Sequence, residues 1–204
     1  MTVAGRSWED VRNELFGEPY MVWHDGPEFS GLREAWRTEP EALLDQLFAG
    51  MAEGDALAAQ ALSELEPAPT GEMRDRVIAM LEKHVVASPP YAQVQLGLTL
   101  YKLTGDAKWT KPIVEVLDGA VHWSSRIDAA IALRQVQPAP ELKKALLTAA
   151  QSNDYLVRYH SATTLRRWAG VSTDLENDDI LFSQLVRDDD PAAWKQVAIA
   201  LDRL

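Results

Sequence analysis

One position returns five times along this chain with a small residue, at Ala59, Gly97, Ala130, Ala162 and Ala198. Three residues after each stands a leucine: Leu62, Leu100, Leu133, Leu165 and Leu201. Three further on come Leu65, Leu103, Val136, Trp168 and Leu204, a column that advances by 38, 33, 32 and 36 residues. Recurrence at that spacing indicates stacked supersecondary units rather than one central core. The small residue lets a helix approach its neighbour closely. The leucine, about one turn further on the same face, fills the space between layers.

Around these columns each repeat reads as two helices. The pairs are 40–51 with 55–66, 71–87 with 90–103, 107–119 with 123–136, 140–151 with 154–169, and 176–187 with 191–204. Apolar residues fall at i, i+3, i+4 and i+7 in these segments, and no stretch sustains the two-residue alternation of a strand. Asp154 and Asp190 stand where N-caps belong, Pro191 suits a first turn, and Gly105 and Gly170 follow helix ends. The expected fold is therefore all-α: a right-handed α-α superhelix (solenoid) of about five helical hairpins over 39–204.

Residues 1–38 depart from the pattern and read as an N-terminal helical cap belonging to the same domain. Ser7-Trp-Glu-Asp10 has the form of a capping box opening a short helix to about Phe16. Gly17-Glu-Pro19 interrupts, Tyr20 to Trp23 is a short apolar run, and His24-Asp-Gly-Pro27 signals a turn. A second short helix is expected at about 31–37. The segment either shields the open face of the first repeat, as solenoids require, or acts as a lid or partner contact.

The charge narrows the functional classes. Thirty-one acidic residues against 20 basic give a net charge of −11, which disfavours phosphate backbones and favours basic partners. There are no cysteines, so disulfides, thiolate metal sites and cysteine nucleophiles are excluded, in keeping with a reducing compartment. The start lacks the apolar core of a secretion signal, and no stretch nears 18 apolar residues. The expectation is a cytoplasmic protein with no membrane association.

The fourth repeat carries the most specific signature, Asn153-Asp-Tyr-Leu-Val-Arg-Tyr-His-Ser-Ala-Thr-Thr-Leu-Arg-Arg-Trp-Ala-Gly170. With Asp154, Val157, Arg158, Ala162 and Leu165 in register, it resembles the second helix of HEAT-like repeats, particularly the short bacterial variety also found in phycobilin lyases. The third repeat keeps Arg126, Ala130 and Leu133 but has His122 in place of the Asp. The fifth keeps Asp190, Pro191, Ala198 and Leu201, with Trp194 in place of the Arg. The first two keep only the small and leucine columns. The resemblance implies the fold, and implies function only weakly because this scaffold hosts many roles.

Catalytic signatures are sparse. His24, His84, His122 and His160 are scattered singly, and no zinc-protease, nucleophile-elbow, phosphate-loop or dinucleotide pattern occurs. No cofactor or metal is expected. Arginines and aromatics remain. Arg126 and Arg158 share one column, and Arg134 and Arg166 another eight residues on. They form either a binding patch for carboxylates or phosphates or, as the resemblance implies for Arg126 and Arg158, an internal ladder to acidic residues of a neighbouring repeat. Trp123 and Tyr155 share a column at the start of their helices, with Trp194 near the equivalent place and Tyr159 beside it. They are either core residues or anchors on a concave surface, since Trp, Tyr and Arg dominate interface energies. Asp174–Asp179 and Asp188–Asp190 concentrate negative charge near helix starts, where it complements the dipole.

These observations point to a non-catalytic protein–protein interaction module of the HEAT-like kind, such as an immunity or accessory protein binding a basic partner. Its candidate surface is Trp123, Arg126, Arg134, Tyr155, Arg158, Tyr159, Arg166 and Trp194. The alternative is a HEAT-like enzyme, similar to a DNA glycosylase or a phycobilin lyase.

Overall fold

A computed structural model describes residues 2–204. Among these the chain forms thirteen α-helices and three short 3₁₀ turns, with no strand. It divides into two compact units, one ending at Asp106 and the other running from Ala107 to Leu204.

The first unit contains α1 (Trp8–Phe16), α2 (Pro19–Asp25), α3 (Ser30–Thr38), α4 (Pro40–Ala52), α5 (Ala56–Ser63), α6 (Gly71–Val85) and α7 (Pro90–Thr104). Packing is largely sequential: α4 lies against α5 and α6, α7 against α5 and α6, and α1 against α3 and α4. The second unit contains α8 (Thr110–Gly119), α9 (Trp123–Ala132), α10 (Pro140–Ala149), α11 (Tyr155–Trp168), α12 (Asp179–Leu185) and α13 (Pro191–Asp202). There α9 packs on α8 and α11, α10 on α8, α11 and α13, and α13 on α11 and α12. Helices adjacent or next but one in sequence account for most of this packing.

The small and leucine columns occupy the interior as the periodicity requires. Ala59, Gly97, Ala130, Ala162 and Ala198 are buried, and so are all five leucines from Leu62 to Leu201. The third column is less uniform: Leu65 and Val136 are buried, Leu103 and Trp168 are half-buried, and Leu204 is exposed. A hydroxyl adds a cross-link between layers. Thr99 on α7 donates to the Ala59 carbonyl of α5 at 2.9 Å, and Thr164 on α11 donates to the Ala130 carbonyl of α9 at 2.8 Å. Both acceptors belong to the small column.

Helix ends follow local chemistry. Asp154 accepts from the Val157 amide at 3.1 Å and Asp190 from the Ala193 amide at 3.0 Å, each satisfying a donor the helix cannot. Ser7 caps α1 through the Asp10 amide. Several expected helices are shorter in fact, three of them clearly so. The α5 helix stops at Ser63, ahead of Pro67, whose ring restricts the residue before it. The α9 helix tightens into a 3₁₀ turn at Leu133–Gln135. The last hairpin opens with a 3₁₀ turn at Leu175–Asn177, and α12 starts afresh where Asp178 caps the Leu181 amide.

The N-terminal segment differs most from expectation. The run Tyr20–Trp23 is part of a helix, α2, with Pro19 in its first turn. None of its seven residues is buried. It is entered through Gly17 (φ 94°, ψ 171°) and left through Gly26 (φ 88°, ψ 169°), a backbone region open essentially to glycine alone. The excursion closes at its base, where the Glu28 amide donates to the Phe16 carbonyl at 3.0 Å and the Phe16 and Phe29 rings meet edge-on at 6.0 Å.

Candidate functional site

The sequence-derived candidates all lie in the second unit, and the structure sorts them into interior and surface groups. Arg158 is fully buried. Its Nε donates to Leu185 O at 3.0 Å, Nη1 to Ser152 O and Asn153 O at 2.8 and 3.1 Å, and Nη2 to Arg187 O at 3.2 Å. The Trp194 ring lies over the guanidinium at 4.3 Å, and its Nε1 donates to the same Arg187 carbonyl at 2.8 Å. Trp194 is itself buried. Of the alternatives left open for these two residues the structure takes the interior one, because four main-chain carbonyls at or just beyond the ends of α10 and α12 need donors. Burial lowers the Arg158 pKa, with Asp188 and Asp154 opposing the shift.

Arg126 plays a related part. Its Nε donates to Leu117 O at 2.8 Å and Nη1 to Ser152 Oγ at 3.1 Å. The expected arginine–carboxylate ladder thus takes another form here: Arg126 and Arg158 bond chiefly to carbonyls, and the nearest acidic group to Arg158 is the exposed Asp188 at 4.0 Å. Arg166 is the residue that finds a carboxylate. Its Nη1 donates to Asp178 Oδ2 at 2.8 Å and its Nε to Ser172 O at 2.6 Å.

Arg134 stands apart. Its Nε donates to Thr164 Oγ1 at 3.1 Å and its Nη2 to His160 Nδ1 at 2.8 Å, with no carboxylate among its hydrogen-bond partners. Burial, followed by the nearby charge of Arg167, lowers its pKa. Because a guanidinium can only donate, His160 Nδ1 is the accepting nitrogen and its ring proton sits on Nε2. Burial, and then Arg134, lower the His160 pKa, which favours that neutral form. Tyr159 meets His160 edge-on at 5.4 Å and Tyr155 at 6.0 Å. Arg134, Tyr155, Tyr159 and His160 therefore form one contiguous group with Arg167 beside it. Trp123 is 48% exposed and stacks on its neighbour His122 at 6.1 Å.

The sequence reading passed over two features. Asp128 on α9 is exposed as a residue, yet desolvation by surrounding protein raises its carboxyl above the ordinary aspartate value. An isolated carboxylate carries no spacing signal that could have marked it. The other is an apolar cleft of about 380 Å³ lined by Pro138, Pro140, Leu165, Trp168, Leu201 and Leu204, with the buried Trp168 Nε1 unpartnered. Among the described residues, no group of three or more His, Asp or Glu side chains is arranged to hold a metal ion, and no helix is long and apolar enough to cross a membrane.

Comparison with protein-family models, with curated proteins and with solved structures gives no match. What the chain defines on its own evidence is an all-helical protein with sequential helix packing.

Proposed function

We propose that the protein is a HEAT-like helical-repeat module that binds a basic partner protein without catalysis, in the manner of an immunity or accessory protein. The buried small and leucine columns, with α7 packed on α5 in the first unit and α11 on α9 and α13 on α11 in the second, support stacked helical hairpins within each unit. The observation that carries the binding reading is the Arg134 group. A guanidinium pre-positioned by His160 and Thr164, lacking a carboxylate and bordered by Tyr155 and Tyr159, has the residue types that anchor protein interfaces. The −11 charge steers a basic partner towards the molecule, and Arg134 then donates to one of that partner's carboxylates.

The test immobilises the full chain at low salt and compares it with Arg134→Ala and Tyr159→Ala. One basic protein is expected to be retained by the parent chain, released as salt rises, and lost from both variants. Equal retention by all three chains, or none by any, ends this reading.

The enzymatic alternative draws on Asp128, whose raised carboxyl suits proton transfer. A glycosylase-like enzyme would release damaged bases from DNA and lose that activity in Asp128→Asn. A lyase-like enzyme would form a coloured adduct with a bilin.

A further inference from the structure

The α2 excursion in the first unit presents a different surface. Tyr20 is 67% exposed, Met21 50% and Trp23 79%. Three large apolar side chains thus face water on a helix of seven residues. Such a helix is far too short to hold itself together by backbone hydrogen bonds alone. The rings are nonetheless gathered: Tyr20 lies 6.1 Å from Trp23 and stacks on His24 at 6.0 Å, and Trp23 lies 6.4 Å from His24. The base of the excursion is fixed by the Phe16–Glu28 hydrogen bond and the Phe16–Phe29 contact, so the cluster is presented from a defined anchor.

Charge selects what can cover it. Between Phe16 and Phe29 the chain carries Glu18, Asp25 and Glu28, all exposed, and no lysine or arginine. Asp25 holds His24 Nδ1 at 2.6 Å, while Glu18 and Glu28 have no ion pair among the described residues. A second copy would bring the same carboxylates against themselves. Anionic lipid and nucleic acid are repelled for the same reason. A segment rich in Lys or Arg with interspersed apolar side chains satisfies both halves, its cations meeting the three carboxylates and the ring faces, its apolar groups meeting Met21 and Trp23.

We propose that α2 is a docking knob for a basic, amphipathic segment of a partner protein, with Trp23 as its anchor. This goes beyond the surface described above, because α2 belongs to the other unit.

The test is an NMR titration of the full ¹⁵N-labelled chain with a synthetic peptide alternating Arg and Leu, and with the same peptide carrying Glu for Arg. The Trp23 indole signal, identified by its loss in Trp23→Phe, is expected to shift with the basic peptide only. Trp23→Ala is expected to weaken that peptide's binding about tenfold or more, with an unchanged melting curve since no α2 residue is buried. Tyr159→Ala is expected to leave it unaltered. Shifts that survive Trp23→Ala and vanish in Tyr159→Ala overturn the α2 assignment while sparing the binding module. No shift at millimolar peptide, or equal shifts with the Glu peptide, overturns it as well. The reading built on Arg134 is then judged by its own retention assay.

Discussion

The Thr164 hydroxyl donates to the carbonyl oxygen of Ala130 across 2.8 Å, joining α11 to α9. Thr99 repeats the bond to Ala59 in the first unit, two residues after the small-column Gly97 as Thr164 is two after Ala162. Both threonines are buried, so water cannot replace the donor. Thr164→Val and Thr99→Val should each cost about 1–2 kcal/mol, since a similar shape is kept while a buried carbonyl loses a partner. Urea unfolding checks this. A loss within error for both would show the bonds to be incidental to packing.

Arg158 predicts a larger effect. Its side chain donates to four main-chain carbonyls, and Arg158→Met fills comparable space while leaving three of them without a donor, Arg187 O keeping Trp194 Nε1. The expected loss is about 3 kcal/mol or more, since each buried carbonyl left without a donor costs roughly 1–3 kcal/mol. Arg158→Lys should recover only part, because one ammonium cannot span the same fork. Full recovery by lysine would mean that charge rather than geometry matters.

His160 sets a pH dependence. Its folded pKa lies below the ordinary 6.5, so below that pH the unfolded chain binds more protons than the folded one. Stability should therefore fall as pH drops through about 6.5 and level off below the folded pKa. His160→Gln should flatten that portion of the stability–pH curve. An unchanged slope in the variant would place the titration elsewhere.

Gly50 makes a steric prediction. It lies in α4 against the Trp8 ring of α1, and a Cβ there would come too close to three of the ring carbons for either to stay in place. Gly50→Ala should cost about 1–3 kcal/mol despite alanine's better helix propensity. The Trp8 environment, read by fluorescence, should change with it. An alanine variant as stable as the parent would show that α1 can yield without loss.

Much of the helical frame was legible because burial imposes a period. Columns at Ala59 and Leu62 repeat too regularly to be solvent-facing, and their burial follows. The threonine cross-links were not legible, since a hydroxyl in a helix looks the same whether it faces water or a neighbour's carbonyl. Nor was α2, whose apolar run is shorter than two turns and framed by glycines. The arginines show why a column alone does not assign a role. Arg134 and Arg166 are equivalent by register, yet only Arg166 is followed by a loop that returns Ser172 and Asp178 to it. Arg158 and Arg126 share a register too, but only Arg158 meets the end of α12. Fate depends on what the next segment brings back.

The closed base of α2 has an evolutionary consequence. With Phe16 and Phe29 already touching, the dozen residues between them can be rewritten, lengthened or removed while α1 and α3 keep their places. If α2 docks a partner as proposed, variation there alters whom the molecule meets without asking the rest of the chain to refold, and partner choice is free to drift while the scaffold stands still.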